Sequence, residues 1–313
     1  MKKIAYIFPG QGSQALGMGK SFIESFDQAK DMLSEANEAL GYDLGKVLVD
    51  NEGDRLGKTA FTQPAILFVS LAAYRLFESE MPIRPVYALG HSLGELTAVS
   101  AMGGLSLTDA VKTASERGKA MQAACEGINA GMMVALGLSD EVIEAVCAAA
   151  RADQKQVWAA NFNCDGQVVI AGIKSDLETL VEPIKAAGAK RAMLLDMSVA
   201  SHCPLLKEAQ EPLKNLLKEK LSANLIAPII SNATTAAYTA KSDAIELLGD
   251  QLVKPVLYRK SIAQIEAEVD LFIEFGHGGV LKGLNKKITQ KETIAIANAE
   301  DLMAAIELLE NEQ

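Results

Sequence analysis

The chain has 313 residues, of which 49% are hydrophobic and 22% are charged, and its formal net charge is −10. This length allows one large domain or one domain that carries an insert. The acidic balance argues against a nucleic acid partner, because binding a phosphate backbone requires a basic surface. The apolar start of the chain ends at Pro9-Gly10, too early for a signal-peptide core, and the other apolar runs are shorter than a membrane span. We therefore expect a cytoplasmic protein with no membrane partner.

Cysteine usage gives no sign of a metal site or of structural disulfides. The four cysteines are Cys125, Cys147, Cys164 and Cys203, and their spacing fits neither a C-x-x-C pair nor a zinc site. We expect reduced, partly buried thiols, no bound metal and no permanently bound cofactor.

Strands and helices alternate in the first part of the chain. Apolar runs predict strands at 4–8 and 86–89, and helical periodicity predicts helices at 20–40, 65–77, 96–102 and 108–124. Pro64 is expected in the first turn of its helix, where its missing N–H costs nothing. The glycines of loop 9–14 would let backbone N–H groups approach a ligand, although a plain strand-to-helix connection has the same composition.

Residues 128–197 show a different order of elements. Strands are predicted at 132–136, 157–160, 168–171 and 191–195, and helices at 140–150 and 177–187. The resulting order βαββαβ is typical of a ferredoxin-like unit. We therefore predict a ferredoxin-like small subdomain at 128–197, inserted into a catalytic subdomain formed by 1–127 and 198–313.

The last part of the chain returns to alternating elements. Strands are predicted at 229–231, 271–275 and 293–297, and helices at 205–221, 244–252, 280–288 and 301–310. Such alternation predicts an α/β fold, with a hydrolase-like large subdomain of three layers around a mainly parallel sheet. Ligands are then expected at the carboxyl ends of the strands.

The most informative motif is Gly90-His91-Ser92-Leu93-Gly94, between a predicted strand and a predicted helix. This is the context of a nucleophile elbow, in which glycines permit a sharp reversal that exposes the serine hydroxyl. The N–H of Leu93 and the amino end of the helix would then face an oxyanion formed beside Ser92. A plain glycine-flanked turn would show the same local pattern.

A serine nucleophile needs a base, and the chain has three histidines. His91 adjoins Ser92, but neighbouring side chains diverge in an elbow, so we expect it to pack beneath the loop. His277 could line the cleft or cap the next helix. His202 fits the Ser-before-His order of α/β hydrolases and is the predicted base. Either Asp196 or a carbonyl group could orient it.

Arg117 lies on the apolar stripe of its predicted helix, between Ala114 and Met121. A guanidinium facing the protein interior needs an anion, because an unpaired buried charge is too costly. That anion could be an internal Asp or Glu, or the carboxylate of a ligand held by the guanidinium fork.

Together these segments resemble the malonyl-CoA:acyl carrier protein transacylase family of type II fatty-acid synthesis, over essentially the whole chain. The segments that carry the resemblance are 8–14, 90–95, Arg117-Gly118, 166–172, Ser201-His202 and Gln251-Leu252. The chain departs from the family pattern at Cys164-Asp165, where Ser-Pro is frequent, and at Ala200 and His277, where the family usually has proline.

The resemblance implies a role for each matching residue. Ser92 would be acylated, His202 would be its base and acid, and the backbone N–H groups of Gln11 and Leu93 would form the oxyanion hole. Arg117 would hold the malonyl carboxylate, and a carbonyl in the region of Gln251 would orient the base. The implied substrate-binding residues are Arg117, Gln251, Met121, Met132 and Gln167.

The resemblance also implies the partners: malonyl-CoA as a substrate, acyl carrier protein as the acceptor and no nucleic acid. We expect a monomer. Lysines 282, 286 and 287 and the pair Lys190-Arg191 could meet CoA phosphates or the acidic carrier protein, or could simply be solvated surface. Ala200 suggests tolerance of methylmalonyl groups. A serine hydrolase or thioesterase with the same elbow, and a carrier-binding protein without activity, are also compatible with these motifs.

Overall fold

The computed structural model describes residues 2–222 and 224–311, apart from the side chain of Glu52. Strands β1–β10 are Ile4–Phe8, Tyr87–Gly90, Ala130–Leu136, Val157–Cys164, Gln167–Ile173, Arg191–Leu194, Asn224–Ile230, Ala237–Ala240, Leu271–Phe275 and Glu292–Ile296. Helices α1–α13 are Lys20–Ser25, Asp27–Leu40, Leu44–Asp50, Thr59–Glu80, Leu93–Ala101, Leu107–Ala124, Asp140–Ala152, Lys174–Ala186, Lys207–Lys220, Lys241–Asp250, Tyr258–Ile265, Val280–Asn285 and Ala299–Glu310.

Strand β1 lies inside the larger sheet and is buried at all five positions. It pairs in parallel with β2 on one side and with β9 on the other. Within the described ranges the strand order is β10-β9-β1-β2-β7-β8, and the β7–β8 edge pair is antiparallel. Alternate residues of β1 belong to different cores: Tyr6 and Phe8 pack in the core that includes α4, and Ala5 and Ile7 pack in the one that includes α11. Helical layers therefore cover both faces of a mostly parallel sheet, as predicted.

Residues 130–194 form a separate antiparallel sheet in the order β4-β5-β3-β6. Helices α7 and α8 pack on it through a third core that contains Ile143, Leu177 and Ile184. Two backbone hydrogen bonds join β4 to the larger unit, from Phe162 N–H to Val256 O at 2.9 Å and from Val256 N–H to Ala160 O at 2.8 Å. The smaller sheet is thus hydrogen-bonded to the segment that precedes α11.

Helix α4 differs most from its prediction. It begins at Thr59 rather than 65, so Pro64 lies in its second turn and not in the first. The polar residues before Pro64 obscured the pattern because they are buried with partners: Thr62 Oγ1 donates to Leu56 O at 2.6 Å, and Gln63 bonds to Arg117.

By length and composition α4 could cross a membrane, and here it is a core helix that is 89% buried over its most apolar window. Its 22 residues correct the expectation that every apolar run is shorter than a span.

The remaining differences concern short elements. The predicted helix 20–40 is two helices, α1 and α2, because Phe26 between them is extended (φ −129°, ψ 125°). The sequence patterns missed α3, β8 and α11, which have only seven, four and eight residues. A capping signal for α3 was present, since Asp43 accepts a hydrogen bond from Lys46 N–H at 3.1 Å.

Candidate active site

Ser92 lies between β2 and α5 in a strained backbone conformation, with φ 55° and ψ −109°. Such values are rare for a residue with a Cβ and are tolerated where the surroundings fix them. Here the Asn232 side chain fixes both sides of the turn: Oδ1 accepts from Ser92 N–H at 2.7 Å, and Nδ2 donates to Gly90 O at 2.7 Å. The predicted elbow is therefore present, and Asn232, in the loop that follows β7, supports it through these two hydrogen bonds.

The elbow requires glycine at two positions because the chain approaches itself too closely for a side chain. A Cβ on Gly90 would overlap the backbone of Gly94, and a Cβ on Gly94 would overlap Phe8 O at the end of β1. The close approach brings the loop after β1 against the amino end of α5. Gln11 and Leu93 consequently line the same cavity as Ser92.

His202 makes the closest side-chain contact with the Ser92 hydroxyl. Its Nε2 lies 2.7 Å from Ser92 Oγ, and its Nδ1–H donates to the backbone oxygen of Gln251 at 2.6 Å. Asp196 is exposed, so the orienting group left open by the sequence is the Gln251 carbonyl. The carbonyl fixes the tautomer that leaves Nε2 free to accept the serine proton.

The protonation state of His202 follows from its surroundings. Burial, together with the neighbouring Arg117 charge, lowers its pKa to about 3. This value is far below the pKa of a free imidazole, which is near 6.5, and the His202 imidazole is therefore neutral at physiological pH. His202 is thus in the form that a general base requires.

Arg117 enters the site from α6 and is 3% exposed. It donates to two amide oxygens, Gln63 Oε1 at 2.8 Å and Gln251 Oε1 at 3.0 Å, and its NH2 lies 3.4 Å from Ser92 Oγ. Burial lowers the pKa of the guanidinium to about 10, so it remains charged at neutral pH. Its direct partners are neutral amides, and a buried cation next to the serine is therefore available to a ligand anion.

Gln251 connects Arg117 to a buried acidic residue, Glu95. Its side-chain oxygen accepts a hydrogen bond from Arg117, and its side-chain nitrogen donates one to Glu95. Burial raises the Glu95 pKa to about 7, opposed by hydrogen bonds and by the Arg117 charge. The sequence did not single out Glu95, although an acidic residue on an otherwise uncharged, buried helix is the signal that would have found it.

The cavity beside Ser92 has a volume of about 130 Å³. Its lining residues are Gln11, Gln63, His91, Ser92, Leu93, Met121, Met132, Asn161, Asn163, Val169, Leu195, Met197, Ser201 and His202. In the described part of the chain, the backbone N–H groups of Gln11 and Leu93 donate to no protein acceptor. Two hydrogen-bond donors therefore remain available at the edge of the cavity.

Several predicted site residues lie elsewhere. Gln167 is at the start of β5, 3.7 Å from Cys164 Sγ, and is not among the residues that line the cavity. Arg117 and Gln251 are also outside the lining, although Arg117 NH2 lies 3.4 Å from Ser92 Oγ and Gln251 contacts both Arg117 and His202. His277 is half-buried in the turn after β9, away from the lining residues.

His91 lines the cavity but turns its Nε2 to Asn163 at 2.7 Å rather than to the serine.

Three amide side chains in the lining were not foreseen from the sequence. Asn161 and Asn163 are two residues apart on β4, and both line the cavity. Polar residues at that spacing within an apolar strand were a usable signal. Gln63 follows the same logic as a polar residue inside the apolar helix α4.

Groups of three or more His, Cys, Asp or Glu side chains able to hold a metal ion do not occur among residues 2–222 and 224–311. A serine on a strand–turn–helix elbow, with a histidine within hydrogen-bond distance, is the arrangement of serine hydrolases and serine acyltransferases. The presence of a buried arginine beside the serine distinguishes this site from an apolar esterase pocket.

Comparisons with known proteins identify the family. The family model described as acyl transferase domain matches residues 5–303. A malonyl CoA-acyl carrier protein transacylase of Bacillus subtilis is 40% identical over 314 residues, covering 100% of this chain and 99% of the relative. A malonyl-CoA:acyl carrier protein transacylase structure from Helicobacter pylori is 45% identical, with a TM-score of 0.95 over 99% of each chain. The chain belongs to the acyl transferase family, among the malonyl CoA-acyl carrier protein transacylases.

One further solved structure shows a member of this group with its partner. It is described as a malonyl-transacylase in complex with a type II PKS acyl-carrier protein, and is 35% identical to this chain. The TM-score is 0.94, over 98% of this chain and 99% of the other.

Proposed function

We propose that this protein transfers a malonyl group from malonyl-CoA to the phosphopantetheine thiol of acyl carrier protein through a malonyl-Ser92 intermediate. The observation that carries the proposal is the buried Arg117 guanidinium, 3.4 Å from Ser92 Oγ. A short acyl group on that oxygen would bring a terminal carboxylate within reach of the guanidinium fork. The relatives named above support both the donor and the acceptor.

In the first half-reaction, Ser92 Oγ attacks the thioester carbonyl of malonyl-CoA while His202 Nε2 takes the hydroxyl proton. The Gln11 and Leu93 N–H groups would hold the oxyanion, each contributing roughly 3 kcal/mol as in comparable sites. The C–S bond then breaks, His202 returns the proton to the departing CoA thiol, and malonyl-Ser92 remains.

In the second half-reaction, the carrier-protein thiol replaces the CoA thiol and the same steps run in reverse. His202 removes the thiol proton, sulfur attacks the acyl-serine carbonyl, and the proton finally returns to Ser92 Oγ. The chemistry is a ping-pong exchange of one thioester for another. It needs no resident cofactor, because malonyl-CoA is consumed as a substrate.

The substrate carboxylate would also improve the base. The Arg117 charge lowers the pKa of His202, after the larger contribution of burial. A malonyl carboxylate paired with Arg117 offsets that charge and makes it easier for His202 to accept a proton. The correct acyl group is thus coupled electrostatically to the activation of Ser92, whereas an acetyl group would leave the charge uncompensated.

We further propose that the larger unit is a hydrolase-like catalytic subdomain, residues 1–127 and 198–313, and that 128–197 is a ferredoxin-like insert. The order β6-β3-β5-β4 with antiparallel neighbours supports the second assignment, since the βαββαβ motif pairs its strands in that way. The elbow at the carboxyl end of β2 supports the first.

The function is tested by intact-protein mass spectrometry after mixing with malonyl-CoA. We expect one malonyl adduct on the wild type, mapped to Ser92 by peptide analysis, and none on Ser92→Ala. Adding carrier protein that bears phosphopantetheine should remove the adduct and load the carrier. Rapid loss of the adduct to water without loading the carrier would instead indicate a hydrolase, and absence of any adduct would contradict the proposal.

Exposed lysines 286 and 287 follow helix α12, and we propose that they meet the acidic carrier protein. Reversing both charges, Lys286→Glu with Lys287→Glu, should raise KM for the carrier protein roughly tenfold, because rim charges act mainly on encounter. Self-acylation from malonyl-CoA should not change. The exposed pair Lys30→Glu with Lys46→Glu is the control for net charge, and an equal rise in KM for both double variants would rule out a docking role.

A further inference from the structure

The buried carboxylate of Glu95 touches neither the cavity nor Ser92 Oγ, and yet hydrogen bonds through Gln251 and Asn232 connect it to Ser92, His202 and Arg117. Glu95 lies on α5, three residues after Ser92, and is fully buried. Its Oε1 accepts from Tyr238 OH at 2.9 Å, and its Oε2 accepts from Asn232 N–H at 2.9 Å and Gln251 Nε2 at 2.7 Å. All three donors come from elements distant in sequence from α5, so Glu95 ties them to the elbow.

Gln251 connects Glu95 to the residues that would carry out the reaction. Its backbone oxygen accepts from His202 Nδ1–H at 2.6 Å, and its side-chain oxygen accepts from Arg117 NH2 at 3.0 Å. Its Nε2 also donates to Ser92 O at 3.0 Å, beside the bond to Glu95. One residue therefore supports the base, the cation and the nucleophile's backbone together.

The orientation of the Gln251 amide is decided by the two charges on either side of it. If the amide were flipped, its NH2 group would face the Arg117 guanidinium, donor against donor, and its oxygen would face the Glu95 carboxylate, acceptor against acceptor. In a water-poor interior both contacts would be costly. Glu95 and Arg117 together thus select the one orientation that serves the site.

We propose that Glu95 is a positioning residue, which holds Gln251 so that the Gln251 carbonyl orients His202 and its amide presents Arg117 to the acyl carboxylate. This rests on the proposed malonyl transfer. A second branch runs through Asn232, whose backbone N–H bonds to Glu95 and whose side chain supports the strained Ser92 turn. Losing Glu95 would let the base, the cation and the elbow shift by about an ångström without removing any of them.

The test is the single-turnover rate of Ser92 acylation by malonyl-CoA and by acetyl-CoA. Glu95→Ala should slow malonyl acylation about 100-fold, the cost of misplacing groups by about an ångström. The malonyl-over-acetyl rate ratio should fall about tenfold, because Arg117 loses its fixed partner. Glu95→Gln keeps an oxygen that accepts from Asn232 and Gln251, and should recover most of both losses.

A double-mutant cycle separates positioning from general destabilisation. If Glu95 acts mainly through Gln251, adding Glu95→Ala to Gln251→Ala should slow acylation by far less than Glu95→Ala does in the wild type, and the remaining loss reports the Asn232 branch. If the rate losses of the two single variants multiplied in the double variant, the proposal would be overturned. Should Glu95→Ala not fold, Glu95→Asp takes its place in the cycle, because it withdraws the carboxylate from Gln251 while keeping the charge.

Glu274→Gln is the matched control for replacing a buried carboxylate. Glu274 is fully buried, burial raises its pKa to about 7 as for Glu95, and it accepts from the backbone N–H groups of Leu281 and Lys282. It should leave the acylation rate and the donor ratio unchanged. Wild type without a malonyl adduct would refute the proposed function. Wild type that acylates while Glu95→Ala matches it in rate and ratio would refute the role of Glu95 alone.

Discussion

Arg117→Ala should reduce Ser92 acylation by malonyl-CoA by about 100-fold or more, while acylation by acetyl-CoA falls much less. The reason is that the malonyl carboxylate would enter a buried site with no opposite charge, and removing one partner of a buried charge pair costs about 2–5 kcal/mol. An acetyl group brings no charge and so loses no partner. The measurement is the ratio of the two acylation rates, read by intact mass.

Arg117→Lys sharpens this test. Lysine keeps the positive charge but offers no planar fork for the carboxylate and for the Gln63 and Gln251 oxygens. We expect an intermediate malonyl rate and a partly preserved preference over acetyl. Equal losses towards both donors in Arg117→Ala would mean that the arginine supports the fold of the site rather than selecting the acyl group.

His202→Ala should lower the acylation rate by about 10⁴-fold or more, in line with loss of the base in comparable serine enzymes. Binding of malonyl-CoA should change little, because His202 acts on the Ser92 proton and Arg117 on the carboxylate. The control is His277→Ala, in a half-buried turn away from the cavity, which should retain the wild-type rate. A comparable loss in both variants would contradict the assignment.

The pH dependence of acylation distinguishes His202 from Glu95. Because burial lowers the pKa of His202 to about 3, the base stays neutral as the pH falls through 6.5, and its acid limb should lie well below that value. Glu95, with a pKa raised to about 7, changes its charge near neutrality. The titratable groups around it are Tyr238 and Arg117. A limb near pH 7 in the profile of the acylation rate should therefore disappear in Glu95→Gln. A limb near pH 6.5 that persists in this variant would contradict a neutral, buried His202.

The elbow and its flanking elements were predictable because their signals are local. Gly90 and Gly94 around Ser92, between an apolar strand and a helix, specify the turn by steric necessity. Arg117 was found for a similar reason, since helical periodicity places it on a buried face. The alternation of strands and helices likewise predicted the mostly parallel sheet, and the order βαββαβ singled out residues 128–197 as a separate unit.

The hydrogen bonds that unite the site were beyond local patterns. Gln251 and Glu95 are separated by 156 positions, and nothing in either neighbourhood specifies that their side chains meet. The resemblance pointed to a carbonyl near Gln251, but not to the carboxylate behind it. Gln167 shows the opposite case, because a residue in a recognisable motif lies on β5 with its side chain near Cys164, outside the cavity. Element boundaries failed where buried polar residues such as Gln63 interrupt an apolar run.

The residues that line the cavity come from two different parts of the chain. Ser92, His202 and Leu93 come from the larger unit, whereas Met132, Asn161, Asn163, Val169, Leu195 and Met197 all come from residues 128–197. The reactive groups and much of the cavity wall thus come from parts of the chain that belong to different sheets. Such a division would let the shape of the cavity wall diverge within residues 128–197 while the serine, the base and the Arg117 cation are inherited unchanged, and it makes that segment the one to vary when the preference among acyl groups that carry a carboxylate is to be engineered.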